Sequence, residues 1–329
     1  MKTLTNQAGW TIVELMIALT LGLLVVLAAT GLLLSSKAGY LVQDQSTQVQ
    51  ETGRYAMEVL ARAIRQAGYE NLNTVLLPLR NTPDFSPSVI GLDAASLQRT
   101  GAALAVAAAA SVVHGSDVLA LRFFGDEEAI LNCAGLLVPV ASSQHSADEE
   151  RGWSIFFVAK DSGGEPELQC KYRSKNGWAT DAIARGIESF QVLYGVDLDG
   201  DGVVDRFINA KEIDALDQAM PLAGLNAVAR AADRNRKTHW KKIRAIRVAL
   251  LVRSEQRVRN DALDGEHRLF GSSYDHPDDK GATIREQDLP ASERARLRKI
   301  FTQTIQLRNG IAEDISRQVV VPGKAGSGG

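Results

Sequence analysis

Cysteine is nearly missing from this chain: Cys133 and Cys170 are the only two in 329 residues, and they form no CxxC. That excludes a disulfide scaffold and a thiolate metal cluster. The five histidines, His114, His145, His239, His267 and His276, never fall into HExxH spacing, and no P-loop, GxSxG or GxGxxG is present. The sequence thus points to no enzyme. A net charge of −2 gives no global pull toward nucleic acid or acidic lipid. Proline is absent before Pro78, so nothing of that kind interrupts a helix in the first quarter of the chain.

What is present begins at Gly9. From Trp10 to Leu34 the only ionisable residue is Glu14. As a helix this run reaches roughly 37 Å at about 1.5 Å per residue, enough for a bilayer core of about 30 Å. A carboxylate near the start of such a helix carries an insertion cost and ordinarily has a partner. A secretory signal places its cleavage site after the apolar run. Here the small residue, Gly9, stands before it, and Lys2 is the only basic residue of the leader. Cleavage after Gly9 would leave the run on the mature protein.

Gly9, an aromatic residue next, and a glutamate five places after the glycine resemble the processing site of type IV prepilins, with Trp10 in place of the commoner phenylalanine. The resemblance implies cleavage after Gly9 by a prepilin peptidase and methylation of the new amine on Trp10. It also implies that Glu14 neutralises the terminal amine of a neighbouring subunit, an attraction strengthened in a low-dielectric bundle. The plain alternative is an uncleaved signal anchor.

Beyond Leu34, helix formers continue to about Gln66. Tyr55, Val59 and Ala63, with Ala56, Leu60, Ile64 and Ala67, recur at spacings of three and four, which predicts one helix from about Thr11 to Ala67 stopping at Gly68. Gly22, Gly31 and Gly39 are places where it can bend. Residues 69–88 read as an irregular connection and 101–110 as a short helix or loose loop. Short β-branched and aromatic runs predict strands at 117–124, 153–159, 167–173, 187–194, 243–253 and 300–307. Residues 210–236 read as a helix and 261–293 as a polar loop. The result is an α+β arrangement, with a leader at 1–9, a membrane segment at 10–34, an amphipathic continuation at 35–68, a domain at 69–322 and a tail at 323–329. This agrees with the fold that the pilin resemblance implies. The chain length and the ending Arg298–Asn309 are similar to those of large minor pilins of the PilW type.

Asp197, Asp199, Asp201 and Asp205 stand at the first, third, fifth and ninth places of an EF-hand-like loop, with Gly202 sixth. Such spacing lets alternate carboxylates converge on calcium, with the carbonyl of Val203 as a further oxygen. The twelfth place is Ile208 and supplies no bidentate carboxylate. The alternative is an acidic hairpin turn. If the domain lies outside the cytoplasm, as the anchor implies, Cys133 and Cys170 can form a disulfide. Residues 230–259 hold eleven Lys or Arg against Asp233 and Glu255. With one aromatic nearby, Trp240, they read as a solvated face and not as a nucleic-acid platform. His276, Asp278 and Asp279 read as a polar loop in preference to a metal site.

The functional expectation is a minor pilin that initiates, assembles or tips a type IV pilus. Its partners would be the prepilin peptidase, other minor pilins, the major pilin and a tip adhesin. It would sit in the inner membrane before assembly and in the fibre at the cell surface afterwards. The competing expectations are a type II secretion pseudopilin and a singly anchored calcium-dependent binding module.

Overall fold

The computed structural model describes residues 9–70, 85–126, 129–143, 146–258 and 265–309. The leader up to Ala8 and the tail at 323–329 lie outside the described residues.

Helix α1 runs unbroken over Ile12–Gln66, 55 residues and about 82 Å at the standard rise. Thr11 caps its start, and the expected stop is observed: Gly68 takes φ +69°, a left-handed conformation that costs glycine little. Gly22, Gly31 and Gly39 sit inside the helix in open space and do not interrupt it. Residues 12–44 are exposed along their whole length, and burial begins at Gln45. From there Val49, Gly53, Ala56, Leu60 and Ile64 form the covered stripe. Tyr55, expected on that stripe, is 55% exposed: it sits one position before Ala56, about 100° round the helix.

Two antiparallel sheets receive the stripe. The first is a meander in chain order: β1 (Val89–Leu92), β2 (Val118–Phe123), β3 (Gly152–Lys160), β4 (Pro166–Ser174) and β5 (Gly177–Arg185). The short helix α2 (Ala147–Glu150) precedes β3. At Gly186, φ +75°, the chain crosses to the second sheet; its N–H donates to Pro166 and its carbonyl accepts from Arg253. The second sheet has the order β11 (Arg296–Gln306), β8 (Ile243–Arg257), β6 (Ile187–Val196), β7 (Arg206–Ile208). One continuous core joins α1 to the inner faces of both sheets, including Leu119, Phe156, Leu168, Phe190, Val248 and Leu250. Asp117, fully buried, ties the sheets at one point by accepting from the N–H groups of Ala94 and Val192 at 3.0 and 2.9 Å. Burial pushes its carboxyl well above the usual range.

The close approach of α1 to β11 depends on Gly53. A Cβ there would lie 2.2 Å from the Phe301 ring. The outer face of the first sheet is covered by the loop bearing Ala95 and Leu97, against Ile155 and Phe157. That of the second is covered by a two-stranded ribbon, β9 (Glu266–Arg268) with β10 (Thr283–Arg285), through Leu269 and Ile284. The stretch expected as a bare polar loop at 261–293 thus carries structure, and residues 101–110 are loop apart from a 3-10 turn over Ala109–Ser111. The helix expected at 210–236 is two: α3 (Ala210–Ala219) and α4 (Ala227–Lys237). Pro221 and Gly224, φ +134°, separate them.

Candidate functional site

At the amino-terminal end, Thr11 and Glu14 form a reciprocal cap. Thr11 N–H and Oγ1 donate to Glu14 Oε2 at 2.9 and 3.0 Å, while Glu14 N–H donates to Thr11 Oγ1 at 3.3 Å. The signal for this was in the sequence: threonine followed three places later by glutamate is a capping box. It holds the carboxylate back over the first turn against Thr11, the residue that follows Trp10, which is 83% exposed. The 18-residue windows of α1 reach a mean hydropathy of 2.6, so by length and composition this helix can cross a membrane.

The acidic loop joins β6 to β7. Oxygens of Asp197, Asp199 and Asp205 lie within 4.8 Å of one another. Asp201 is not in that set; its carboxylate accepts from Val203 N–H at 2.7 Å. Gly200 and Gly202 take φ +84° and +87°, the left-handed turns that let the loop curl. Asp197, 1% exposed, anchors the curl by accepting from Gly200 and Gly202 N–H at 2.7 and 3.0 Å. Arg244 of β8 also donates to it at 3.0 Å. Burial alone would raise the Asp197 carboxyl, but Arg244 and the two amides outweigh it and hold it below the usual range. Repulsion among the acids is therefore relieved in part by the protein itself. Arg244, 47 residues away, was outside the reach of motif reading. Oxygen donors converging in this way fit a hard cation such as calcium.

Cys133 and Cys170 are joined, with Cα atoms 6.1 Å apart, which fastens the 130–138 hairpin to β4. His276, Asp278 and Asp279 do not come together as ligands; Asp279 instead accepts from Tyr274 Oη at 2.6 Å. A second group, His114, Glu188 and Glu293, has ligand atoms within 4.8 Å. Arg298 already holds Glu188 at 2.6 and 3.0 Å, and Arg253 lies 3.4 Å from Glu188 and 3.8 Å from Glu293. The charge a metal would bring is supplied by the chain.

Residues 155–309 match the family model described as Type IV Pilus-assembly protein W. Over that part the chain is similar to type IV pilus-assembly proteins of the PilW family. A structural comparison adds a type IV-like pilin from Thermus thermophilus, at 14% identity, with 82% of this chain and 97% of that one covered and a TM-score of 0.34. No curated protein sequence matches it. The part that matches the PilW model runs from within β3 to just past the end of β11 and contains the acidic loop, Arg244, and Glu188 with Arg253, Glu293 and Arg298, but not His114. Gly9, Trp10 and Glu14 lie outside it. The basic stretch includes α4, where Arg230 and Arg234 are exposed, and β8, where Arg253 is buried in ion pairs.

Proposed function

We propose that the chain is a minor pilin: a structural subunit of a type IV pilus that acts in initiation, assembly or at the tip. The observation that carries this is α1 itself. Residues 12–44 form a continuous helix that no other part of the described chain covers, presenting Leu23, Leu24, Val25, Val26 and Leu27 at 61–70% exposure. Apolar surface of that extent needs a bilayer or other helices around it. A pilin passes between these two environments. The processing site is Gly9–Trp10, with methylation on Trp10, and Glu14 pairs with the amine of an adjacent subunit. The partners are the prepilin peptidase, the other minor pilins, the major pilin and a tip adhesin. The protein resides in the inner membrane until it enters the fibre.

The acidic loop would hold calcium through Asp197, Asp199 and Asp205, with Asp201 and the Val203 carbonyl as further oxygens. The ion would brace the turn between β6 and β7. Intact-mass spectrometry of the membrane-extracted protein from its native host tests the main reading. A mass lacking residues 1–9 and carrying one added methyl is expected. Retention of the leader in cells with an active peptidase would favour a singly anchored module.

A further inference from the structure

Strands β4 and β5 are joined by a short tip, Lys175 and Asn176, closed by Gly177. Serine at the first place, Ser174, and glycine at the fourth suit a type I turn, and neither Lys175 nor Asn176 takes a positive φ. Gly177 does, at +111°, a conformation that strains any residue with a side chain. The turn therefore keeps a glycine directly after an asparagine. Both residues are exposed, and a Cβ built at Gly177 would meet nothing within 4 Å.

The described asparagines differ in what holds their side chains. Asn132 Oδ1 accepts from the N–H groups of Ala134 and Leu136, while Asn209 and Asn226 cap α3 and α4. Asn235 donates its amide to the Phe85 carbonyl, and Asn309 donates to those of Arg65 and Ala67. Among the described asparagines, Asn176 is the one whose side chain makes no hydrogen bond. Only its main chain is engaged: Asn176 N–H donates to Ser174 Oγ at 3.2 Å, and Ser174 Oγ donates to the Gly177 carbonyl at 2.9 Å.

We propose that Asn176 is a self-modification site at which the chain deamidates, turning the β4–β5 tip into an aspartyl or isoaspartyl turn. The Gly177 amide nitrogen, giving its proton to solvent, bonds to the side-chain carbonyl carbon of Asn176, and ammonia leaves as the succinimide ring closes. Water then adds to either imide carbonyl and opens the ring. The net exchange is amide and water for acid and ammonia, with no change of oxidation state. Asparagine is a thermolabile residue, and two restraints slow this step: a side chain held by hydrogen bonds, and a bulky residue after it that blocks the approach of the nitrogen. Asn176 has neither. The product carries a negative charge beside Lys175, and its isoaspartyl form adds one main-chain carbon to a turn that Ser174 bridges.

The test is site-resolved peptide mapping by mass spectrometry of the full-length protein in detergent, aged at physiological temperature and pH beside a free peptide of residues 174–178. The expected result is that Asn176 gains the mass of an amide-to-acid exchange, in two chromatographic forms, slowed severalfold at most relative to the free peptide. Asn132 and Asn226, intact in the same sample, show that the domain has stayed folded. Asn176→Asp, which carries the new charge without the extra carbon, should keep the urea midpoint of the fresh protein. Asn176 unchanged when the free peptide is fully converted overturns the proposal, and so does conversion of Asn132, Asn209, Asn226 or Asn235 ahead of it.

Discussion

Truncating Glu188 should be among the most damaging single changes outside α1. Its side chain is fully buried, and Arg298, also fully buried, donates to both carboxylate oxygens at 2.6 and 3.0 Å. Removing one member of a buried pair strands the other charge, typically at about 3–5 kcal/mol. Arg298 would keep Glu286 at 3.3 Å and the Glu293 carbonyl at 2.7 Å, and Arg253 would keep Glu165. That residual pairing puts Glu188→Ala at the lower end, about 3 kcal/mol, or a melting shift of roughly 6–12 °C for a domain of this size. Replacing both partners with methionine removes the stranded charge and should recover at least half of that loss. The assay is thermal or urea unfolding of the full-length protein in detergent. A cost below about 1 kcal/mol for Glu188→Ala, or a double variant no better than the single, would refute the reasoning.

The pH dependence follows with a definite sign. Burial alone would raise the Glu188 carboxyl, but the hydrogen bonds and charge of Arg298 outweigh it and the net direction is down. A carboxyl depressed in the folded state stabilises above its unfolded value, about 4.3, and that contribution is lost as pH falls through the folded value. The gap in stability between wild type and Glu188→Ala should therefore narrow below about pH 4.3 and stay flat between pH 6 and 8.

Three further outcomes are expected. Glu14→Ala should leave membrane insertion intact but impair incorporation into fibres; normal piliation with normal co-purification of partner subunits would count against the assembly role. Asp199→Ala with Asp201→Ala should abolish a calcium-dependent rise in melting temperature, and the absence of any such rise in the unmutated protein would dismiss calcium from the loop. Gly53→Ala should gain up to about 1 kcal/mol in helix propensity but lose about 1–3 kcal/mol to overpacking against Phe301. A net destabilisation relieved by Phe301→Leu is the signature, read by urea midpoints.

What the sequence made legible was local. Helix α1 announced itself because proline is absent and Val59, Ala63, Leu60 and Ile64 keep one helical period. The apolar strands β2, β3, β6 and β8 announced themselves by composition, since strands covered on both faces read as continuous apolar runs. Strand β5 did not: Ala179, Ala182 and Ala184 are poor strand formers, and that segment is extended because β4 pairs with it from Glu167 to Ser174. The acidic loop was legible by spacing, but which carboxylates converge was not. That depends on Asp197 being drawn inward by Arg244, a contact made by a neighbouring strand. The ion pairs of Glu188 are equally non-local, joining residues 110 positions apart.

Gln45 is where α1 first meets the two-sheet domain. Gln45 Oε1 accepts from Gln256 N–H at 3.0 Å, at the end of β8, and α1 continues without a break in both directions. Between Leu34 and Gln45 the helix rises roughly 16 Å with no cover from the described residues. A protein that only needed tethering could use a flexible linker there at little cost. A continuous helix instead fixes the height and rotation of the sheets relative to residues 10–34, so whatever packs on the lower helix also sets where β5 and the acidic loop stand. On the assembly reading, that coupling is how helix packing in the fibre core would set where the domain stands at the fibre surface. A single point of melting in residues 35–44 would uncouple the two without unfolding either. Placing two prolines there, in place of Ala38 and Leu41, should therefore preserve membrane insertion and the domain's urea midpoint while abolishing incorporation into fibres.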